Sequence, residues 1–280
     1  MRPSRGFEAH RVALVAAGAL VCGDASAQSF LEASPAPNAT PRPVAFDASL
    51  GARLTHRALR WSDNLFGEQR DYTAPVAPYL TADLRWFPAA HVTAAWPAHV
   101  GVYASGAFAV GVDSTDSRGR AFDTTAYELR AGILGRLPLG DHALTAGVGY
   151  ERRSFVVTPV EAPGDPDDPG VAGVTYDALS LDLDARLRAT RRLSLSLGAT
   201  GALPLRFGDL EDRLFAGVSG ASVELRGGVA WVADAGVELR AIAAYRRYFL
   251  AMNPAPGDRW IAGGLVDEFA SLTLSVALRR

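Results

Sequence analysis

Lysine is absent, and all 28 basic residues are arginine. That excludes chemistry built on a lysine amine: the P-loop phosphate grip, the kinase strand lysine and a Schiff base to pyridoxal phosphate. Cysteine is nearly absent too, and with Cys22 alone in 280 residues no disulfide can form within the chain. Neither sign of charge dominates. The 28 basic and 30 acidic side chains leave a formal −2, without the basic face that nucleic-acid binding needs. Hydrophobic residues make up 49%, yet no stretch beyond residue 30 is an apolar run of transmembrane-helix length. Neither a Gly-x-Ser-x-Gly elbow nor a His-Glu-x-x-His pair occurs. The richness in Ala, Gly, Pro and Arg reads partly as the mark of a GC-rich genome and carries little functional weight.

The first residues read as an export signal. Arg2, Arg5 and Arg11 form a positive start, Val12 to Val21 a short apolar core, and Ala25-Ser26-Ala27 a small-residue cleavage pattern, so the expected signal spans 1–27. A lipoprotein reading at Cys22 is disfavoured because Val21 before it is not small. Removal of the signal leaves an expected mature chain with no thiol and no cysteine metal site. Residues 28–43, rich in Pro, Ala and Ser, read as a flexible linker.

From Val44 to Arg280 the pattern repeats every two residues. Val44, Phe46, Ala48, Leu50, Ala52 and Leu54 alternate with Asp47, Ser49, Gly51, Arg53, Thr55 and Arg57. Alternate side chains of a strand point to opposite faces, so one face is apolar and the other carries charge. The clearest case sets Leu193, Leu195, Leu197, Leu203 and Leu205 against Ser194, Ser196, Gly198 and Thr200. The same rhythm predicts strands near 44–61, 74–87, 100–113, 121–137, 142–157, 174–189, 193–206, 221–232, 236–250 and 268–278. Tight connections at 138–141, 190–192 and 233–235 alternate with long ones at 62–73, 113–120, 158–173, 207–220 and 251–267. The exception is 88–99, long where a tight turn is expected.

Long strands with short turns on one side and long loops on the other form the pattern of a membrane β-barrel. Here the chain resembles the small outer-membrane β-barrel proteins of Gram-negative bacteria. The resemblance covers the signal and residues 44–280, is one of architecture, and brings no functional residues with it. It implies an all-β, transmembrane, antiparallel up-and-down barrel of about ten strands, with eight to twelve open. It also implies turns in the periplasm, five loops outside, and as partners outer-membrane lipid, lipopolysaccharide and the barrel assembly machinery. Such barrels typically end in an aromatic residue, whereas this chain ends Leu278-Arg279-Arg280.

Which face meets lipid is decided by charge. The polar face carries Asp47, Asp83, Glu128, Glu151, Asp182, Asp184, Glu224 and Glu238 with Arg53, Arg57, Arg85, Arg130, Arg136, Arg153, Arg186, Arg188, Arg226, Arg240 and Arg246. A lipid-facing arginine at the midplane costs about 2–4 kcal/mol, so this face is expected inside, as a salt-bridged lumen network. An exported soluble barrel with the faces swapped is the competing architecture. Trp86, Trp231, Tyr127, Tyr150 and Tyr245 fall on the apolar face near the strand ends, as interfacial girdles would. Arg60, Arg152 and Arg247 break the outward rule at the loop-side ends, where they are candidate contacts for lipopolysaccharide phosphates.

The expected role is structural or surface interaction without catalysis, metal or cofactor. The alternatives are a narrow, weakly anion-preferring channel and a barrel-embedded hydrolase. Asp182 and Asp184 share one face and form the tightest acidic pair. Ten-stranded omptin proteases place acids and a histidine at the outer mouth. Here the match fails on histidine, since His10 is in the signal, His91 and His99 in the 88–99 connection, His142 at a turn and His56 in the outward phase. The acidic segment Glu161–Gly170, a conceivable calcium loop, and the acids Asp209, Glu211 and Asp212 read as solvated turn chemistry.

Overall fold

The computed structural model describes residues 43–65, 69, 71–115, 121–159, 173–234, 236–258 and 260–280. The export signal, nearly all of the linker and the acidic segment 161–170 lie outside the described residues. Eleven strand segments follow one another: β1 (Phe46–Ser62), β2 (Tyr72–Trp86), β3 (Val100–Ala109), β4 (Asp113–Thr115), β5 (Ala121–Leu139), β6 (His142–Pro159), β7 (Val174–Arg188), β8 (Leu193–Arg206), β9 (Ser219–Asp234), β10 (Val237–Ala251) and β11 (Gly264–Arg279). Each pairs antiparallel with its neighbours. β1 also pairs with β11 and β3 with β5, so the sheet closes on itself.

β3 and β4 both lie along β5 and form one barrel strand in two pieces, giving a ten-stranded closed barrel. The expected single strand 100–113 is interrupted because Gly111 turns left-handed, with φ 61°. A register shift between Thr55 and Arg57 bulges β2, leaving Val76 outward while Ala74 and Ala77 stay inward. The last strand begins at Gly264 rather than 268, which shortens the last loop.

The outward phase is apolar on every face of the barrel. Leu50 is 71% exposed and Leu181 67%, and Leu80, Leu197, Leu225 and Leu274 are exposed on four further strands. Soluble monomers rarely expose more than a few hundred Å² of continuous apolar surface, whereas lipid solvates a girdle of this kind at no cost. Trp86 and Trp231 mark one edge of the belt, and Tyr150 and Tyr245 the other. The strands, mostly 14–19 residues, are long enough to cross a bilayer at a tilt. The barrel spans a membrane.

One end carries the tight turns 140–141 and 189–192 and the short connection between β9 and β10, and is called here the turn end. Gly140 and Gly236 supply the positive φ that two of these turns need. The longer connection at this end contains two short 3₁₀ helices, Pro88–His91 and Trp96–His99. It tucks Ala90 and Ala98 against Ala45, Phe87 and Leu134. The start of β1 and the end of β11 meet here, where the Ala45 and Phe46 amides donate to the Arg280 carbonyl at 2.7 Å each.

The opposite, loop end departs from expectation. Segment 207–218, expected to be a solvated loop, folds back over the bore through one π-helical turn, Leu210–Leu214. Asp209 and Asp212 do stay exposed, and Glu211 caps the Phe207 amide at 3.1 Å. Phe207, Leu210, Phe215 and Val218, however, are buried with Leu59, Val174, Tyr248, Leu250, Met252 and Leu265. Burial of apolar area drives this closure, since each large side chain removed from water gains about 1.5–3 kcal/mol.

Candidate functional site

The lumen holds the charged residues of the inward phase and changes character along its axis. At the turn end, Arg186 grips Glu238 through two bonds, 2.7 and 3.2 Å, and Arg240 bridges Glu238 and Asp47 at 2.8 Å each. Arg85 reaches Asp184 at 3.2 Å and Ser49 bonds Asp83 at 3.2 Å. Arg188 lies at the rim, bonded to Asp141 of the turn at 3.3 Å, and so takes no part in the lumen network where it was expected. It is the last residue of β7, so its long side chain reaches water.

In the middle, Asp182 and Asp184 are consumed by partners. Asp182 accepts from Arg130 at 2.6 Å, Thr200 at 2.6 Å and Tyr103 at 3.0 Å, and Asp184 accepts from Arg226 at 2.9 Å. Tyr103 reaches across because the wall beneath it is bare. A Cβ on Gly149 would lie 2.3 Å from the Tyr103 hydroxyl, and one on Gly132 would lie 2.8 Å from its ring. Arg53 and Arg153 share Glu128 at 2.9 and 2.7 Å.

Towards the loop end the pairs become fully buried. Arg246 bonds Glu224 at 2.9 Å, Tyr248 at 3.0 Å, and Glu151. Arg57 forms a two-pronged bond to Asp267, 2.8 Å on each prong, and the Tyr176 hydroxyl donates to the same carboxylate at 2.9 Å. Aromatic rings seal this layer. Arg57 lies 4.2 Å over Phe155, Arg153 lies 4.5 Å over Phe269, and Tyr176 stacks on Tyr248 at 3.9 Å. The apolar cap follows directly. The remaining space is a cavity of about 290 Å³ that runs from the turn-end mouth to these rings.

The structure thus brings most of the charged residues named from the sequence into contact with one another, leaves Arg188 and Arg136 out of those ion pairs, and adds two residues. Asp267 and Arg279 face the lumen, and both fell outside the predicted last strand, 268–278. Arg136 stands apart from the ion pairs. Its guanidinium lies 4.1 Å over the Phe87 ring and reaches the Ala98 carbonyl at 3.5 Å. Arg60, Arg152 and Arg247 do face outward at the loop end. There they meet outward acids that the sequence reading passed over: Glu268 near Arg60 and Arg247 at 3.6 and 3.8 Å, and Asp177 near Arg152 at 3.6 Å. Two tyrosines complete these clusters, with Tyr245 bonding Glu268 and Tyr150 bonding Asp177 at 2.5 Å.

Apolar outside and arginine-lined inside is an arrangement that only a lipid solvent rewards. The architecture, a closed antiparallel membrane barrel, resembles that of the small Gram-negative outer-membrane β-barrels. No protein-family model matches the chain, and no curated protein matches it in sequence. Among solved structures it is similar to the outer-membrane protease OmpT from Escherichia coli, at 14% identity and TM-score 0.46, covering 86% of this chain and 98% of that one. It is also similar to the outer-membrane protein AlkL, at 13% identity and TM-score 0.40, covering 90% and 97%. A third is the attachment invasion locus protein Ail of Yersinia pestis, at 11% identity and TM-score 0.33, covering 85% and 99%.

Among the described residues, the histidines stay away from the acidic pair. His56 is exposed on the lipid side. His91 accepts from Trp86 at 3.2 Å, His142 accepts from the Arg188 amide at 3.2 Å, and His99 belongs to the second 3₁₀ helix. Among the described residues no cluster of acids, histidines or cysteines is arranged to hold a metal ion.

Proposed function

We propose that the protein is an exported outer-membrane barrel, closed to ion flow, whose role is structural or surface interaction and whose loop end faces outward. Residues 1–27 would direct export, and the barrel assembly machinery would insert the chain. One observation carries the reading. Arg57, Asp267, Arg246, Glu151, Tyr176, Tyr248, Phe215 and Leu210 are all at most 1% exposed and occupy the bore beneath and within the cap. Water and ions need a continuous polar path, and a layer of paired charges roofed by rings and aliphatic side chains offers none.

A non-catalytic role fits the same geometry. Asp182 is held by Arg130, Thr200 and Tyr103 and Asp184 by Arg226 and Arg85, and neither lies beside a described histidine. At the loop-end rim, Arg60, Arg152 and Arg247 lie where lipopolysaccharide phosphates would sit. Replacing all three with Gln is expected to lower the melting temperature in lipopolysaccharide more than in neutral detergent. An equal loss in both would remove that contact.

The test of the closed barrel is single-channel recording of the purified protein in planar bilayers. Silence is expected across ±100 mV. Current steps of stable size would replace this reading with the narrow anion-preferring channel.

A further inference from the structure

The positive charge of the lumen is not evenly compensated. Toward the loop end each arginine has a carboxylate within hydrogen-bond reach, as in Arg57 with Asp267 and Arg246 with Glu151 and Glu224. At the turn end, Arg136 has no carboxylate partner among the described residues. Its charged neighbours are Arg279 and Asp47. Arg279 in turn neighbours Arg186, Arg240, Asp47 and Glu238, and its own contacts to the two acids are long, 3.8 and 3.6 Å. With Arg85, Asp83 and Asp184 at the same end, five guanidinium groups face four carboxylates around one mouth, and Arg136 is the one without a carboxylate partner among the described residues.

This mouth is wet. The side chains of Arg279 and Arg186 are 26% and 23% exposed, against 2% for Arg57 and Arg246 deeper in. Asp47, Arg136, Arg186, Arg240 and Arg279 all line the cavity of about 290 Å³, which is large enough for a small ligand with several waters. Arg136 is also held in place. The Phe87 ring supports one face of its guanidinium, and the 3₁₀ helix Trp96–His99 offers it only the Ala98 carbonyl. The rest of its planar fork has no hydrogen-bond partner among the described residues, while its orientation is already fixed.

We propose that the turn-end mouth of the lumen binds a small multivalent oxyanion of the phosphate class, with Arg136 as the forked contact and Arg279 as the second. A planar fork matches phosphate oxygens two at a time, and an excess of cations in a narrow, water-filled recess with low-dielectric walls concentrates anions there. On the closed-barrel reading proposed above, the site is a blind recess entered from the turn end. The inference needs only the cavity and its charge, and it stands whether or not the cap conducts.

The test is calorimetric titration of the full chain, folded in neutral detergent at low salt, with inorganic pyrophosphate. One saturable site per barrel is expected. Arg136→Gln and Arg279→Gln should each weaken it at least tenfold, Arg136→Lys should weaken it less than Arg136→Gln, and Arg152→Gln, at the opposite rim, should leave it unchanged. Heat-modifiable migration on gels identifies variants that still close. Should Arg136→Gln fail to do so, Arg279→Gln and Arg136→Lys decide. Absence of saturable binding, binding indifferent to the mouth arginines, or equal loss in Arg152→Gln would overturn the proposal.

Discussion

The two ends of the lumen use the same residue types to opposite effect. At the turn end, Arg85 and Asp184 form a pair whose side chains are 44% and 22% exposed, and water competes for both. At the loop end, Arg57 and Asp267 form a two-pronged pair at 2% and 0%, enclosed by Phe155, Phe269 and Tyr176. An arginine–carboxylate pair is therefore not one energetic quantity. In water it gains at most about 1 kcal/mol, while in a sealed layer losing one partner strands a charge and costs about 3–5 kcal/mol. The difference lies in the roof, since the apolar cap turns a salt-bridged lumen into a dry one.

Five substitutions break or sharpen that contrast. The largest effect belongs to Asp267→Asn, which leaves the Arg57 fork buried without a countercharge. It is expected to destabilise the barrel by about 3–5 kcal/mol, read as a lower urea midpoint for the gel-shifted form. A loss under 1 kcal/mol would mean that water reaches Arg57. Next comes Phe215→Ala, which removes a ring from the cap. About 3 kcal/mol is expected, because the surrounding side chains cannot collapse fully into the space. A negligible loss would show that the folded-back segment 207–218 is not packed in solution.

Between the two ends, Gly149→Ala sets a methyl against the Tyr103 hydroxyl and the Ala131 carbonyl, at 2.3 and 2.5 Å before any adjustment. A cost of about 1–3 kcal/mol is expected from overpacking, together with loss of the Tyr103–Asp182 bond. Tyr103→Phe should lose the same bond at a smaller cost, and a double-mutant cycle that shows no coupling would contradict the contact. The smallest effect is Arg85→Gln at the turn end, within about 1 kcal/mol and further reduced by salt. A loss as large as that of Asp267→Asn would erase the distinction between the ends.

The barrel itself was legible because its two solvents are so different. Lipid on one side and a charged lumen on the other enforce a strict two-residue rhythm, so Leu272, Leu274 and Val276 separate cleanly from Ser271, Thr273 and Ser275. The lumen network followed from the same phase. What escaped was whatever lies where the rhythm stops. On β10 the inward phase runs Glu238, Arg240, Ile242, Ala244, Arg246, Tyr248, Leu250, and the last two are as apolar as the outward Phe249 between them. A strand apolar on both faces signals burial on both sides, and that was the available sign of the cap. Phe207, Leu210, Phe215 and Val218 have no period at all, because a folded-back loop packs by shape rather than by alternation. Asp267 and Arg279 were lost for a simpler reason, since strand ends inferred from pattern drift by two to four residues. Gly111 broke the third strand through backbone conformation alone.

The central claim is that successive residues of one strand meet different solvents, and it is directly measurable because the single cysteine, Cys22, can be replaced by Ser to give a thiol-free background. Single cysteines at Leu272, Thr273, Leu274 and Ser275 of β11, carrying nitroxide labels in liposomes, report their surroundings by collision with oxygen or with a water-soluble nickel chelate. Labels at 272 and 274 should be oxygen-accessible and shielded from nickel, while the label at 275, in the open part of the lumen, should respond to nickel and that at 273 less so. A profile without two-residue alternation, or leucine positions open to nickel, would contradict the membrane-spanning barrel.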